Sequence, residues 1–173
     1  MAKSKSKNPI DNMLPELAED QQIEPEIYNA VARCAELLGV QLIESTFNVL
    51  PSFFELGEDE GSLCLDVVDL HGKFDPESRV STSIFQFENS KKKGRQKLFV
   101  VKDKFVVFYR IPLDCDEFHA VSFARRVGVM ACYPYFRAHV AQTASLANAK
   151  MPILPTLAKM PVRKKDGRKE TKL

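Results

Sequence analysis

The chain has 173 residues, of which 45% are hydrophobic and 28% are charged, and its formal net charge is +2. These values are typical of one soluble domain, which at this length buries enough surface to fold without a disulfide or a metal. No apolar run reaches the ~18 residues that a membrane helix needs, and the basic N-terminus lacks the apolar segment of a secretory signal. We therefore expect a cytoplasmic protein without membrane insertion.

Positive charge is concentrated at the two ends of the chain. Residues 1–8 contribute +3 and residues 163–173 contribute +4, which leaves a net charge of −5 for residues 9–162. Both ends have the polar, charged composition of disordered tails. We predict a disordered tail over residues 1–22, a single domain over residues 23–162 and a basic disordered tail over residues 163–173.

The chemistry-bearing residues form no recognisable catalytic site. The four cysteines are too far apart in sequence to supply the close-spaced pairs of a zinc site, so we expect them to be free thiols. The three histidines are also far apart, and there is no metalloprotease motif, nucleophile elbow or glycine-rich phosphate loop. The sequence therefore predicts a protein that is not an enzyme and that needs no metal or cofactor.

The N-terminal part of the domain has helical periodicity. Pro25 suits the first turn of a helix, and Ile27, Val31 and Leu38 then fall on one apolar face. Gly39 has the position expected of a residue that ends such a helix. We predict a helix from Pro25 that ends at Gly39.

The middle of the domain has the alternation and composition of strands. Apolar and β-branched residues alternate around Thr46–Val49, in Leu63–Val67 and in Arg79–Glu88, and apolar runs cover Leu98–Val101 and Phe105–Ile111. Turn-forming residues separate these segments, and the links are short. The pattern predicts four strands in an antiparallel sheet.

The last third of the domain returns to helical periodicity. Asp114 or Asp116 could cap a helix over Glu117–Val129, and Pro134 predicts a break or kink where a second helix begins. Three further prolines then interrupt residues 150–162 and leave an extended apolar segment that should lie against the domain. The fold class expected is α+β, with a four-stranded antiparallel sheet, C-terminal helices on one of its faces and an N-terminal helix.

The predicted strands are apolar on both sides. Phe85 and Phe87 share one face of their strand while Ile84 lies on the other, and Phe105–Ile111 is apolar throughout. A sheet with two apolar faces has to be covered on both. Either the second face meets another chain or a ligand, or the N-terminal helix covers it.

A combination of motifs near the C-terminus carries a family resemblance. Tyr133–Arg137 reads YPYFR, a helix follows, and Met151–Pro155 then reads MPILP. This order, after four antiparallel strands, resembles the SecB-like protein-export chaperones over roughly residues 27–162. The N-terminal helix and the closing MPV at residues 160–162 are most similar to the SecB-like chaperones associated with toxin–antitoxin systems.

The resemblance implies a function and an assembly. It implies an ATP-independent holdase, which binds unfolded polypeptides in apolar grooves for export or for a dedicated client such as an antitoxin. It also implies a dimer of dimers, in which the sheets of two subunits join and the helices lie between the dimers. SecA, the translocase motor, is a further partner in that family, but its docking is in doubt here because the tail is basic where export chaperones have an acidic one.

Several aromatic and aliphatic residues are expected near a client-binding groove, and packing in the core or between subunits is the alternative for each of them. They are Phe85, Phe105, Tyr133, Phe136, Met151, Ile153, Leu154 and Leu157.

A second hypothesis is a nucleic-acid-binding protein that uses the two basic tails and the Lys91–Lys97 loop. That loop is also what a solvated hairpin end looks like. The acidic body and the lack of aromatic residues between the basic ones argue against nucleic acid as a partner.

Overall fold

A computed structural model of the protein describes residues 23–57, 60–112 and 114–156. It contains two α-helices, four long β-strands and one short 3-10 turn. In chain order these are α1 (Pro25–Cys34), β1 (Glu36–Val49), the 3-10 turn (Pro51–Phe53), β2 (Ser62–Asp75), β3 (Val80–Lys93), β4 (Gln96–Arg110) and α2 (Glu117–Leu146).

The four strands form one antiparallel sheet in the order β1-β4-β3-β2. The predicted α+β architecture is therefore confirmed, although each strand is longer than the sequence pattern suggested. β1 and β2 are the edge strands. The β1 register is irregular at two places, because Leu38 and Ile43 have no facing partner on β4. Such irregularities are common in edge strands.

The predicted end of the first helix is wrong. α1 ends at Cys34, Ala35 is already extended, and Gly39 lies within β1 opposite Phe108 of β4. Residues 36–39 continue the helical spacing of apolar residues, but pairing with β4 satisfies their backbone groups instead. Tertiary pairing has overridden a local pattern that suited either element.

The predicted break at Pro134 is also wrong, because α2 runs through it as one helix of 30 residues. A proline inside a helix lacks the N–H that would bond to the carbonyl four residues earlier, here that of Met130. Both Pro134 and Met130 are exposed, so water can reach this carbonyl. Of the two candidate caps Asp116 is the right one, since its carboxylate accepts a hydrogen bond of 2.9 Å from the His119 backbone N–H.

α2 covers one face of the sheet, here called the helix face. The backbone of Gly128 comes so close that a Cβ atom there would lie 2.7 Å from the Phe85 ring and 2.8 Å from the Val107 side chain. Farther along α2, the Phe136 ring stacks on that of Phe87 with centroids 5.1 Å apart. The main core of the described chain therefore lies between α2 and the strands β2, β3 and β4.

α1 packs against the start of α2. The Tyr28 and Phe123 rings lie 6.1 Å apart, and the Glu24 N–H donates a hydrogen bond of 3.2 Å to His119 Nε2. α1 thus lies on α2, and neither of the two described helices packs on the opposite side of the sheet, here called the outer face. Ile84 and Phe108 on that face are half-buried, so the alternative in which the N-terminal helix covers the second face is wrong for α1.

The chain reverses direction immediately after α2. Asn148 adopts a left-handed backbone conformation with φ 51°. Its N–H bonds to the Ser145 carbonyl, and the Ala149 N–H bonds to the Ala144 carbonyl at 2.8 Å. This pair of bonds is the Schellman motif, which ends a helix and turns the chain back.

Replacing Asn148 by glycine is expected to stabilise the protein slightly, while valine is expected to destabilise it by about 1–2 kcal/mol. Glycine adopts a left-handed conformation without steric cost, whereas a β-branched residue clashes there. Urea unfolding followed by circular dichroism measures both changes. Equal midpoints for the two variants would contradict the assigned conformation.

Neither described helix is both long enough and apolar enough to cross a membrane.

Candidate functional site

Four of the residues predicted to line a groove meet beneath α2. Phe85 of β3 and Phe105 of the neighbouring strand β4 are register partners on the helix face. Tyr133 and Phe136 reach this layer from α2. All four are buried and belong to the main core. The structure brings them together as closed packing rather than as an open surface, and core packing was the alternative stated for each of them.

The residues predicted from the proline-containing segment are placed differently. Residues 149–156, here called the strap, follow the reversal at Asn148 in an irregular conformation. Leu154 is buried with 3% of its surface exposed, Met151 is half-buried, and Ile153 is 78% exposed. Leu157 lies outside the described residues, as do residues 158–162 of the predicted domain and both predicted tails.

A hydrogen bond joins the strap to α2. The Tyr133 hydroxyl donates to the Pro155 carbonyl at 2.6 Å. Burial raises the pKa of Tyr133, an effect that nearby Arg137 opposes. The hydroxyl therefore keeps its proton at neutral pH and acts as a donor to a main-chain carbonyl.

An exposed apolar surface that the sequence analysis did not identify runs along β1. Leu37, Leu42 and Phe47 lie opposite Tyr109, Phe105 and Val101, and so on the helix face. α2 lies over the other three strands and barely reaches β1, so each of these three side chains is at least 40% exposed. We call them the β1 strip.

The two residues at the register irregularities, Leu38 and Ile43, are exposed as well. The signal in the sequence was the apolar run Leu37–Ile43. Because Leu38 continues the apolar spacing of α1, the sequence predicts a helix up to Gly39 and the alternation of a strand only after it.

α2 presents a second apolar surface on its side away from the sheet. Met130, Tyr135 and Leu146 are exposed, and small exposed residues lie between them. Residues 127–146 of α2 contain one arginine, Arg137, and one histidine, His139, and no lysine, aspartate or glutamate. An exposed helix surface with so little charge is unusual for a monomer and typical of a helix that packs against another molecule.

An aspartate–histidine pair joins the helix face of the sheet to α2. Asp103 of β4 is fully buried, and its Oδ2 lies 2.7 Å from His139 Nδ1 on α2. The other carboxyl oxygen, Oδ1, has no partner within the described chain. The imidazole is therefore the main group that compensates for burying this carboxyl.

All four cysteines are free, as predicted, and Cys132 is buried in the core. Burial raises the pKa of Cys132 from 9.0 to about 12. Burial also raises the pKa of Tyr109 from 10.0 to about 12, with a contribution from Cys132. Within the described residues, no three potential metal ligands cluster together.

Raising the pH above about 9 is expected to destabilise the protein progressively. The folded state holds the protons of Cys132 and Tyr109 more tightly than the unfolded state does, so their contribution is full below pH 9.0 and is lost as the pH rises towards about 12. Urea midpoints at about pH 7.5 and about pH 10.5 measure the effect. Tyr109→Phe should show a smaller drop; an unchanged drop would contradict this explanation.

The basic loop forms the tip of the hairpin between β3 and β4. Lys93 forms an ion pair of 2.8 Å with Glu60, Lys97 pairs with Glu88, and the Lys91 ammonium lies 5.9 Å from the centre of the Phe53 ring. Three of its cations therefore have partners in the same molecule, which reduces the positive charge available to a nucleic acid.

Comparisons with known proteins bear on these features. No family model matches the chain. The SecB-like chaperone SmegB of Mycolicibacterium smegmatis is 52% identical over 42 residues, which are 24% of this chain and 29% of that relative. The matched segment is thus less than a third of the length of SmegB.

A solved structure matches over much more of the chain. The Rv1957 SecB-like chaperone of Mycobacterium tuberculosis, in complex with a ChAD peptide from the Rv1956 HigA1 antitoxin, superposes with a TM-score of 0.60 at 16% identity, covering 79% of this chain and 99% of the other. The fold is SecB-like. The resemblance to the SecB-like chaperones is confirmed. Both relatives are named as chaperones, a non-enzymatic class, in agreement with the prediction that the chain is not an enzyme.

Proposed function

We propose that the protein is an ATP-independent holdase that keeps client polypeptides unfolded. The observation that carries this proposal is the exposure of large apolar side chains along β1 and α2 in a SecB-like fold. Unfolded chains expose apolar side chains too, and removing both surfaces from water is favourable by about 25 cal/mol per Å². A protein that binds the unfolded form shifts the folding equilibrium of its client without an energy source.

The favoured client is an antitoxin. The Mycobacterium tuberculosis chaperone with this fold was solved in complex with an antitoxin peptide, and the sequence pattern of this chain points to the same group. Exported proteins delivered to SecA are the alternative. We place the activity in the cytoplasm, a reducing compartment that suits four free cysteines.

We also propose that the working form is a dimer of dimers. β1 is an edge strand with exposed apolar residues on it, and a long apolar edge strand tends to pair with another strand. Joining two sheets through β1 would bring the β1 strips of the two subunits side by side on the helix face and leave them open to a client, because edge pairing uses backbone groups while these side chains project from the face of the sheet. The weakly charged surface of α2 would then meet the same surface of a second dimer, which places the helices between the sheets.

Within this assembly we propose that the client-binding groove is built from the residues expected from the sequence. Phe85, Phe105, Tyr133 and Phe136 form the buried layer, and the strap residues Met151, Ile153 and Leu154 lie at its edge. Leu157 is proposed as a continuation of the same surface. Aromatic and methionine side chains adapt to many partners, which suits a binder of unfolded chains.

Two measurements on the full chain test this function. Light scattering should give a mass four times the 19.6 kDa of the chain, and the protein should suppress aggregation of an unfolded client without nucleotide. Leu42→Glu places a charge in the β1 strip and should reduce both the mass and the suppression. Gln41→Glu adds the same charge to an exposed neighbour on β1 and should change neither.

A monomer that leaves client aggregation unchanged would contradict the proposal. Binding of RNA that weakens steeply with salt and depends on residues 163–173 would favour the nucleic-acid hypothesis instead.

A further inference from the structure

The strap is an irregular, largely apolar segment that is bound to the same molecule. From Asn148 it runs back along α2 to Tyr133, a stretch of helix about 20 Å long, and seven extended residues span about 23 Å. The structure therefore shows one short apolar peptide docked beside the layer of buried aromatic residues.

Two contacts hold the far end of the strap. The Leu154 side chain is buried in the core that also contains Tyr133 and Phe136, and the next residue, Pro155, accepts the Tyr133 hydrogen bond at 2.6 Å through its carbonyl. Ile153, on the other side of Leu154, points into solvent. The far end of the strap is thus held by one aliphatic side chain followed directly by one main-chain acceptor.

Any polypeptide can offer the same two features. An aliphatic side chain supplies apolar surface, and every residue carries a main-chain carbonyl. Nothing in the contact with Tyr133 depends on the identity of the residue that supplies the carbonyl, since the acceptor is a backbone atom. A site of this kind would bind extended clients with little regard to sequence, provided that a leucine-sized side chain is present.

We propose that the strap occupies the client-binding site as an internal substitute for a client, and that clients bind by displacing it. This inference rests on the proposed holdase function and adds the class of ligand: an extended segment in which a leucine-like residue precedes the carbonyl that Tyr133 binds. It also accounts for part of the burial of Tyr133, whose hydroxyl is bonded to the strap, whereas Phe136 is buried by its stacking on Phe87.

The decisive variant is Leu154→Ala, with Leu63→Ala as its matched control. Leu154→Ala removes the side chain that anchors the strap and leaves Tyr133 intact, so client affinity should rise about tenfold. Leu63→Ala makes the same substitution on the edge strand β2, where the side chain is 41% exposed, so affinity should stay within about twofold. Fluorescence titration of a labelled unfolded client measures both. Unchanged or weaker binding to Leu154→Ala would overturn the inference.

A second measurement uses the unchanged protein, in case Leu154→Ala fails to fold. Hydrogen exchange of the amides of Met151, Ile153 and Leu154 should speed up when client is added, because the strap is released. Slower exchange would overturn the inference, since it would mean that the strap stays in place and contacts the client. If the unchanged protein binds no client at all, the proposed function fails and the inference fails with it.

Discussion

Replacing Gly128 by valine is expected to destabilise the protein by about 3 kcal/mol, one of the two largest effects of any single substitution considered. A Cβ atom at this position would lie 2.7 Å from the Phe85 ring and 2.8 Å from a Val107 methyl group. Both neighbours are fully buried and neither is a flexible chain end. α2 would have to move away from the sheet, which loosens the core along its whole length.

Alanine at the same position separates two opposing effects. Alanine is favoured over glycine inside a helix by about 1 kcal/mol, so a well-tolerated Cβ would make Gly128→Ala stabilising. We expect a net loss of stability, because overpacking a dense core costs about 1–3 kcal/mol. Urea unfolding gives the difference.

Gly39→Ala is the matched control for this series. A Cβ atom on Gly39 would meet no other atom within 4 Å, so its stability should change by less than about 0.5 kcal/mol. A Gly128→Ala variant more stable than the unchanged protein would mean that α2 lies farther from the sheet than the structure shows.

The sheet was predictable because its signal is local. β3 alternates polar and apolar residues up to Phe87, β4 contains the apolar runs Leu98–Val101 and Phe105–Tyr109, and the links between strands contain strong turn residues. The edge strand β1 was only partly predictable. Its first residues have the spacing of a helix, and only the pairing of Glu36 and Leu37 with the end of β4 makes them part of a strand. That pairing joins residues more than seventy positions apart.

α2 shows a different reason for failure. Pro134 is normally a reliable sign that a helix ends. It is tolerated here because it lies on the exposed side of α2, where water can satisfy the carbonyl that the proline leaves free. Which side of a helix faces solvent depends on how the helix packs, and the sequence did not show that for a helix with apolar residues on several sides.

The sequence indicated the residue types of the candidate site but not its closed arrangement. The aromatic residues around Tyr133 and the segment around Leu154 do come together, as the YPYFR and MPILP motifs suggested. That the segment folds back and closes over them depends on the turn at Asn148. An asparagine allows a left-handed turn but does not require one, so the closed arrangement could not be read from the sequence.

Replacing His139 by leucine is expected to destabilise the protein by about 3–5 kcal/mol. The imidazole is the partner of Asp103 Oδ2 at 2.7 Å, and Asp103 is 0% exposed with its Oδ1 already unpartnered in the described chain. Without His139 both carboxyl oxygens would be buried with no hydrogen-bond donor. Burying a carboxyl group without a hydrogen-bond partner is costly.

The double variant Asp103→Val, His139→Leu distinguishes this cause from simple loss of packing. If the isolated carboxyl is what destabilises His139→Leu, removing it as well should recover most of the lost stability, because an apolar pair can replace a buried ionic one with little net cost. Urea midpoints of the two single variants and the double variant complete a mutant cycle.

His71→Leu is the control for the substitution itself, since His71 is half-buried on β2 and faces away from α2. It should change stability by less than about 1 kcal/mol. A double variant as unstable as the sum of its two single variants would show that Asp103 and His139 do not stabilise each other. The loss would then come from the shape of the two side chains and not from their charge.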